Sequence, residues 1–191
     1  NFRESVTIIT AALTFLVVLS ILGPVNAGAR PEVIAFTLFP EIAFKFSVEP
    51  LGIIFACISS FLWIITTIYS IGYMRGHHEK NQTRFYMAFA VAISCAMGIS
   101  FSGNVITLFV FYEILSLSTY PLVTHAGTDE AKKGGRIYLG ILLTTSFMFF
   151  LPAIIWTLHT AGTLDFTVGG ILDGKASNGF LGIILLLYIF G

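Results

Sequence analysis

Glu113 is the one charged side chain across six long apolar runs of this sequence, and it stands near the middle of the run Asn104–Ala126. At 1.5 Å per helical residue it lies about 14 Å along the axis from Asn104, close to a bilayer midplane. A carboxylate at that depth costs a few kcal/mol even on lenient insertion scales, and intramembrane ionisable residues mark ion or proton pathways. Ser116, Tyr120 and Thr124 follow at spacings of 3, 4 and 4, so with Glu113 they form one stripe on a helix. Hydroxyls both donate and accept, so the stripe can hold a file of waters leading to the carboxylate. His125 stands at the mouth of that stripe, where an imidazole can relay protons. Two plainer readings stay open: a protonated Glu113 that only packs helices together, and hydroxyls that bond back to their own helix.

Two prolines bear on the same region. Pro121 removes a backbone donor and leaves the Leu117 carbonyl without its usual partner, and Pro152 does the same to Met148 in the next helix. Freed carbonyls at membrane depth can bind water, and kinks open gaps between helices; a static kink is the plainer alternative.

Other candidates carry less. His77-His78-Glu79 lies in a short loop between Arg75 and Lys80, and adjacent histidines point apart, so it reads as a solvated loop. His159 stands at a helix end, an ordinary interfacial place. Cys57 and Cys95 lie inside apolar runs without CxxC spacing and read as reduced thiols acting as small hydrophobes. Asn81-Gln82-Thr83 fits the glycosylation pattern but falls on the cytoplasmic side. Lys132 and Lys133 read first as topology determinants. The sequence carries no phosphate-binding loop, dinucleotide fingerprint or nucleophile elbow, so we expect no cofactor, no metal site and no catalytic centre beyond a part in a translocase.

The elements that position Glu113 follow from composition. Charged residues make up 10% of 191, against about 25% in an ordinary soluble domain, while 56% are hydrophobic and 19 are Phe. Mean hydropathy is +0.90. A soluble domain has no interior large enough for so much apolar surface, and a net charge of zero excludes nucleic acid as a partner. The expected fold is an all-α integral membrane helix bundle. A spanning helix needs about 20 apolar residues. The runs 5–22, 51–74, 85–103, 104–126 and 137–158 qualify, and 179–191 reads as the start of a sixth. Residues 33–48 alternate apolar and β-branched types around Pro40-Glu41 and predict a short extracytoplasmic β-hairpin. Ala161–Asn178 is rich in Gly and reads as a surface loop, and Gly103-Asn104 as a tight turn between antiparallel neighbours. Arg3, Arg75, Lys80, Arg84, Lys132, Lys133 and Arg136 gather on one side, against Arg30, Lys45 and Lys175 on the other. The positive-inside rule makes the first side cytoplasmic, which implies a multi-pass protein of a bacterial-type inner membrane. With no leader at its start and an unfinished apolar run at its end, the sequence reads as a fragment of a larger transporter.

Phe109-Val110-Phe111-Tyr112-Glu113 and Ser116-Leu117-Ser118-Thr119-Tyr120, preceded by Gly103-Asn104, resemble the fifth membrane helix of the antiporter-like subunits. These occur in respiratory complex I and in Mrp-type multisubunit cation/proton antiporters. Ser70-Ile71-Gly72-Tyr73-Met74-Arg75-Gly76, followed by Arg84-Phe85-Tyr86, is similar to the junction of that family's third and fourth helices. Glu49-Pro50-Leu51-Gly52 resembles its entry into the third helix, and Gly162-Thr163-Leu164-Asp165-Phe166 the loop after its sixth. The likeness is nearer to the D-type Mrp subunit than to a complex I subunit. It implies roughly fourteen helices in the complete protein, with two inverted five-helix repeats and broken helices at the ion path. This sequence would then hold helices two to six and the opening of the seventh. Glu113 matches the family's glutamate, whose lysine partner on the seventh helix would follow Gly191. Gly134-Gly135-Arg136 departs from the pattern of the sixth helix, so no lysine role carries over to Lys133.

The resemblance implies other membrane subunits, the bilayer, and protons with or without Na+ as partners. Three functions stand: a proton-translocating subunit of a cation/proton antiporter, the same subunit in a redox-driven quinone oxidoreductase or membrane hydrogenase, and a scaffold with an inert, protonated Glu113.

Overall fold

The computed structural model describes residues 2–39 and 42–191. The chain runs as α1 (Phe2–Asn26), β1 (Glu32–Phe39), β2 (Ile42–Ser47), α2 (Pro50–Gly76), α3 (Gln82–Ser100), α4 (Val105–Val123), α5 (Asp129–Thr145), a π-helical turn (Ser146–Phe150), α6 (Leu151–Ala161) and α7 (Asn178–Phe190). Five of these rods are long and apolar enough to cross a membrane, counting Asp129–Ala161 as one, and α7 is a shorter apolar helix. The expected bundle of membrane helices with a small hairpin is therefore the fold. Pro40-Glu41, around which that hairpin is expected, lies outside the described residues.

Local chemistry fixes the helix ends. Pro50 opens α2, where its missing N–H costs nothing. The Asn104 side chain accepts the Thr107 N–H at 2.9 Å and caps α4, and the Thr128 hydroxyl accepts the Ala131 N–H at 3.1 Å and caps α5. That cap explains a difference from the hydropathy reading, which began this helix at Ile137. Asp129 and Glu130 in the first turn complement the helix dipole, so the polar stretch carrying Lys132, Lys133 and Arg136 is helical as well. Apolar character reports the membrane, whereas capping reports the helix, and here they diverge by two turns.

The turn between α3 and α4 is also longer than the apolar pattern suggests, because Phe101–Asn104 leaves the helix to bond elsewhere. Ser47 N–H donates to Phe101 O and Gly103 N–H to Lys45 O, both at 2.8 Å. Lys45 N–H donates to the Thr107 hydroxyl at 3.0 Å, and Asn104 Nδ2 to Ala43 O at 2.7 Å. On the other side Val105 N–H donates to Leu164 O and Phe166 N–H to Gly103 O. The hairpin, the α3–α4 turn and the loop after α6 are thus stitched together at one end of the bundle.

Lys45 sits inside that knot, with its ammonium 3.1 Å from Asp165 Oδ2 and 3.3 Å from Glu32 Oε2. Burial works to lower its pKa, but the two carboxylates outweigh burial and hold it above the ordinary lysine value. A raised lysine pKa stabilises fully below the unfolded value and is lost as pH rises through the folded one, so the knot loosens only in strongly alkaline medium. Within the bundle, α3 and α4 are antiparallel neighbours packed closely along their length. A Cβ at Gly98 would sit inside the Phe111 ring, so only glycine allows this approach.

Lys45→Gln should open the knot without unfolding the helices. Because both acids are about half exposed, the expected effect is roughly fivefold faster amide exchange at Ser47, Gly103, Val105 and Phe166. Unchanged exchange at those four amides would show that the backbone bonds hold the knot alone.

Candidate functional site

Glu113 lies midway along α4, and both of its carboxylate oxygens are buried without a hydrogen-bond partner among the described residues. A bare carboxylate inside a membrane demands a proton, a cation or water. The residue before it is engaged in contacts: Tyr112 Oη donates to the Gly191 carbonyl at 3.3 Å, and its ring meets Phe150 edge-on with centroids 5.8 Å apart. Phe109, one turn earlier, packs edge-on against Phe150 and Phe147. The π-turn Ser146–Phe150 therefore packs on the face of α4 that carries Phe109 and Tyr112.

That turn immediately precedes Pro152 at the start of α6. Leu151 N–H donates to Ser146 O, five residues back, so the chain gains one residue and re-registers just before the proline. Phe147 and Phe150, both in this widened turn, are the two rings that meet Phe109. Proline chemistry alone signalled a break here; the π register was invisible in the sequence.

Ser116 lies in α4 and Thr124 caps its end, and both hydroxyls are engaged locally. Ser116 Oγ donates to Tyr112 O at 3.1 Å and Thr124 Oγ1 to Tyr120 O at 2.9 Å. Each keeps its lone pairs, so it can accept from water, but the stripe forms no continuous hydrogen-bonded file by itself. Neighbours on a helix face stand about 5–6 Å apart, a gap that one water bridges. Ser116 and Thr124 are buried. Thr119, off the stripe, shares a 3.3 Å hydrogen bond with Tyr138 Oη on α5.

The C-terminal end of the stripe is closed by α5. A Cβ at Gly135 would collide with the Thr124 methyl and crowd the Tyr120 ring, so this glycine sets how near α5 comes. His125 follows with both ring nitrogens buried and without a hydrogen bond among the described residues. Its Nε2 is 3.8 Å from Glu79 Oε2, beyond hydrogen-bond reach, and its ring meets Phe85 edge-on. Arg84 reaches across to the His125 carbonyl at 3.4 Å. Glu79 thus belongs to the mouth of the stripe, a neighbour that a loop residue's sequence context did not reveal. His77 stays with its own helix end, its Nδ1 3.0 Å from Tyr73 O. Among the described residues no group of three His, Cys, Asp or Glu is placed to hold a metal.

Comparisons with known proteins place this geometry. The family model described as NADH:quinone oxidoreductase/Mrp antiporter, TM, matches residues 102–190, the stretch carrying Glu113 and its stripe. A second, described as NADH-Ubiquinone oxidoreductase (complex I), chain 5 N-terminus, matches residues 39–86. The chain belongs to the antiporter-like membrane subunits. It is 28% identical over 148 residues to a putative antiporter subunit, mnhD2, of Staphylococcus aureus, covering 76% of this chain and 29% of that protein. It is 27% identical over 194 residues to the NAD(P)H-quinone oxidoreductase subunit 5 of Paulinella chromatophora, covering 95% of this chain and 28% of that protein. In fold it matches a chain of the archaeal membrane-bound sulfane sulfur reductase with a TM-score of 0.82 at 21% identity, over 98% of this chain and 38% of that one. A chain of the Mrp complex from a Dietzia species matches at 0.66 and 15% identity, over 86% and 30%. The antiporter-like chain described here spans about a third of the length of these relatives.

The two glycines at the start of α5 give a paired test of the packing. Gly134 has open space where a Cβ would stand, so Gly134→Ala should stabilise by up to ~1 kcal/mol through helix propensity. Gly135→Ala should destabilise by about 1–3 kcal/mol, because the Thr124 methyl must move. Thermal unfolding of the two variants side by side measures both, and equal melting points would disprove the close approach.

Proposed function

We propose that this chain forms part of a proton-translocating subunit of a multisubunit cation/proton antiporter in a bacterial-type inner membrane, with Glu113 as its ionisable centre. The observation that carries the reading is the pair of buried, unpartnered carboxylate oxygens halfway along a spanning helix. Hydrogen bonds to a second helix would favour the scaffold reading, and none is made to Glu113 among the described residues. The family match over residues 102–190 supports an ion-moving role for the same helix.

The mechanism follows from the electrostatics of a carboxylate with a cationic partner supplied from outside this sequence. A desolvated lysine gives up its proton readily, and a nearby carboxylate keeps it charged. At an effective dielectric of about 20, a pair 4 Å apart interacts by about 4 kcal/mol, or roughly three pKa units. A change of Glu–Lys distance or hydration therefore loads and unloads the proton. Water bridging the lone pairs of Ser116, Tyr120 and Thr124 would carry it toward His125 and the mouth at Glu79. Pro121 and the widened turn before Pro152 supply irregular backbone beside this route.

A second reading keeps the same chemistry inside a redox-driven machine, and the relatives named as quinone oxidoreductase subunits favour it. Partner subunits separate the two. Iron–sulfur signals in the purified assembly would assign the chain to the redox-driven class.

Glu113→Gln keeps size and hydrogen-bonding capacity but cannot ionise. Transport in everted vesicles should fall at least about a hundredfold in Glu113→Gln, with Glu113→Asp intermediate, both at normal assembly levels. Near-normal transport in Glu113→Gln would leave only the scaffold reading.

A further inference from the structure

Helices α1 and α3 each pack along α2 but leave a groove between them. One cavity of about 310 Å³ lies at the Arg3 end, floored by Trp63 and walled by Val6, Met87 and Ala90. A second of about 380 Å³ continues it past Leu13 and Val17 to Ile21 and Phe101, and Thr10 lines both. From Arg3 to Ile21 the groove runs about 27 Å along α1, close to the thickness of a bilayer's hydrocarbon. Its walls are mostly apolar, with Val6, Leu13, Val17 and Met87 exposed along it, and Trp63 Nε1 at its floor is buried without a hydrogen-bond partner among the described residues.

The chemistry at the Arg3 end is different. The guanidinium is pinned by Gln82 Oε1 at 2.6 Å and Thr83 Oγ1 at 3.0 Å and lies 5.4 Å from the Tyr86 ring centroid. These partners are neutral. Among the described residues no carboxylate pairs with Arg3, and the adjacent Glu4 is bound by Arg75 through both of its oxygens. Arg3 Nε is buried with no acceptor, and so is the Tyr86 hydroxyl, on a side chain only 4% exposed. The lip of the groove therefore offers a fixed positive charge and two unfilled donors above an apolar slot.

We propose that this groove binds one anionic phospholipid, its phosphodiester at Arg3, an ester carbonyl at Tyr86 and one acyl chain between α1 and α3. A phospholipid's phosphate and ester groups are acceptors, which is what both orphaned donors lack, and arginine suits phosphate geometry. The same face carries the chain's basic excess, which draws anionic lipid to it. The site is separate from Glu113.

The test uses the full-length subunit in its native assembly, reconstituted in vesicles of phosphatidylcholine with phosphatidylglycerol and re-extracted for native mass spectrometry. The assembly should retain phosphatidylglycerol over phosphatidylcholine, and Arg3→Gln should reduce retention about fivefold. Thr10→Trp, which plugs the groove and leaves Arg3 intact, should reduce it as much and serves alone if Arg3→Gln does not assemble. Equal retention of the two lipids, or retention unchanged in Thr10→Trp, overturns the proposal. So does a protein segment seated in the groove in a structure of the assembly.

Discussion

A carboxylate without a partner in the middle of a membrane helix is the constraint around which this chain is arranged. Its insertion costs a few kcal/mol, and nothing in α4 itself offsets that cost. Both of its carboxylate oxygens are nevertheless buried, in a helix held closely by its neighbours. Helix α3 lies tight against α4 because Gly98 admits the Phe111 ring, and α5 closes in where Gly135 admits Thr124. The π-turn sets Phe147 and Phe150 edge-on against Phe109 of α4. Close packing on these sides leaves the acid buried yet unbonded, the state a group needs if it is to exchange a proton rather than hold a structure together.

The two ends of α4 are fixed by different physics. At its start, a knot of backbone bonds joins hairpin, turn and loop, and Lys45 neutralises Glu32 and Asp165 within it. That end is rigid. At its finish, Pro121 weakens the last turn, His125 has no hydrogen bond to its ring among the described residues, and Glu79 stands just outside bonding distance. A small displacement of the loop carrying Glu79 would make or break that contact. The helix is thus anchored at one end and adjustable at the other, which suits a path that opens toward the basic face.

Much of this was legible in the sequence because a bilayer leaves few solutions: apolar runs must be helices, and a lone internal charge stands out against them. Glu113, its hydroxyl stripe and the hairpin between α1 and α2 all follow from residue type and spacing. The rest depends on contacts between distant segments. Lys45 and Asp165 are 120 positions apart, and a charged residue in each of two loops gives no sign that they meet. The π register before Pro152 was hidden for another reason, since a proline states that a bond is missing but not how the backbone adjusts. Nor could spacing decide how the stripe's hydroxyls are used. Ser116 and Thr124 give their protons to their own helix and keep only lone pairs for water.

The role proposed for Glu113 requires that its carboxyl change protonation as the assembly works. Infrared difference spectroscopy of the reconstituted assembly, with a proton gradient imposed and then collapsed, reads this directly. The predicted result is a carboxyl C=O band that appears and disappears with the gradient, shifts in D2O and is absent in Glu113→Gln. A band assigned to Glu113 that stays constant through that cycle would contradict it.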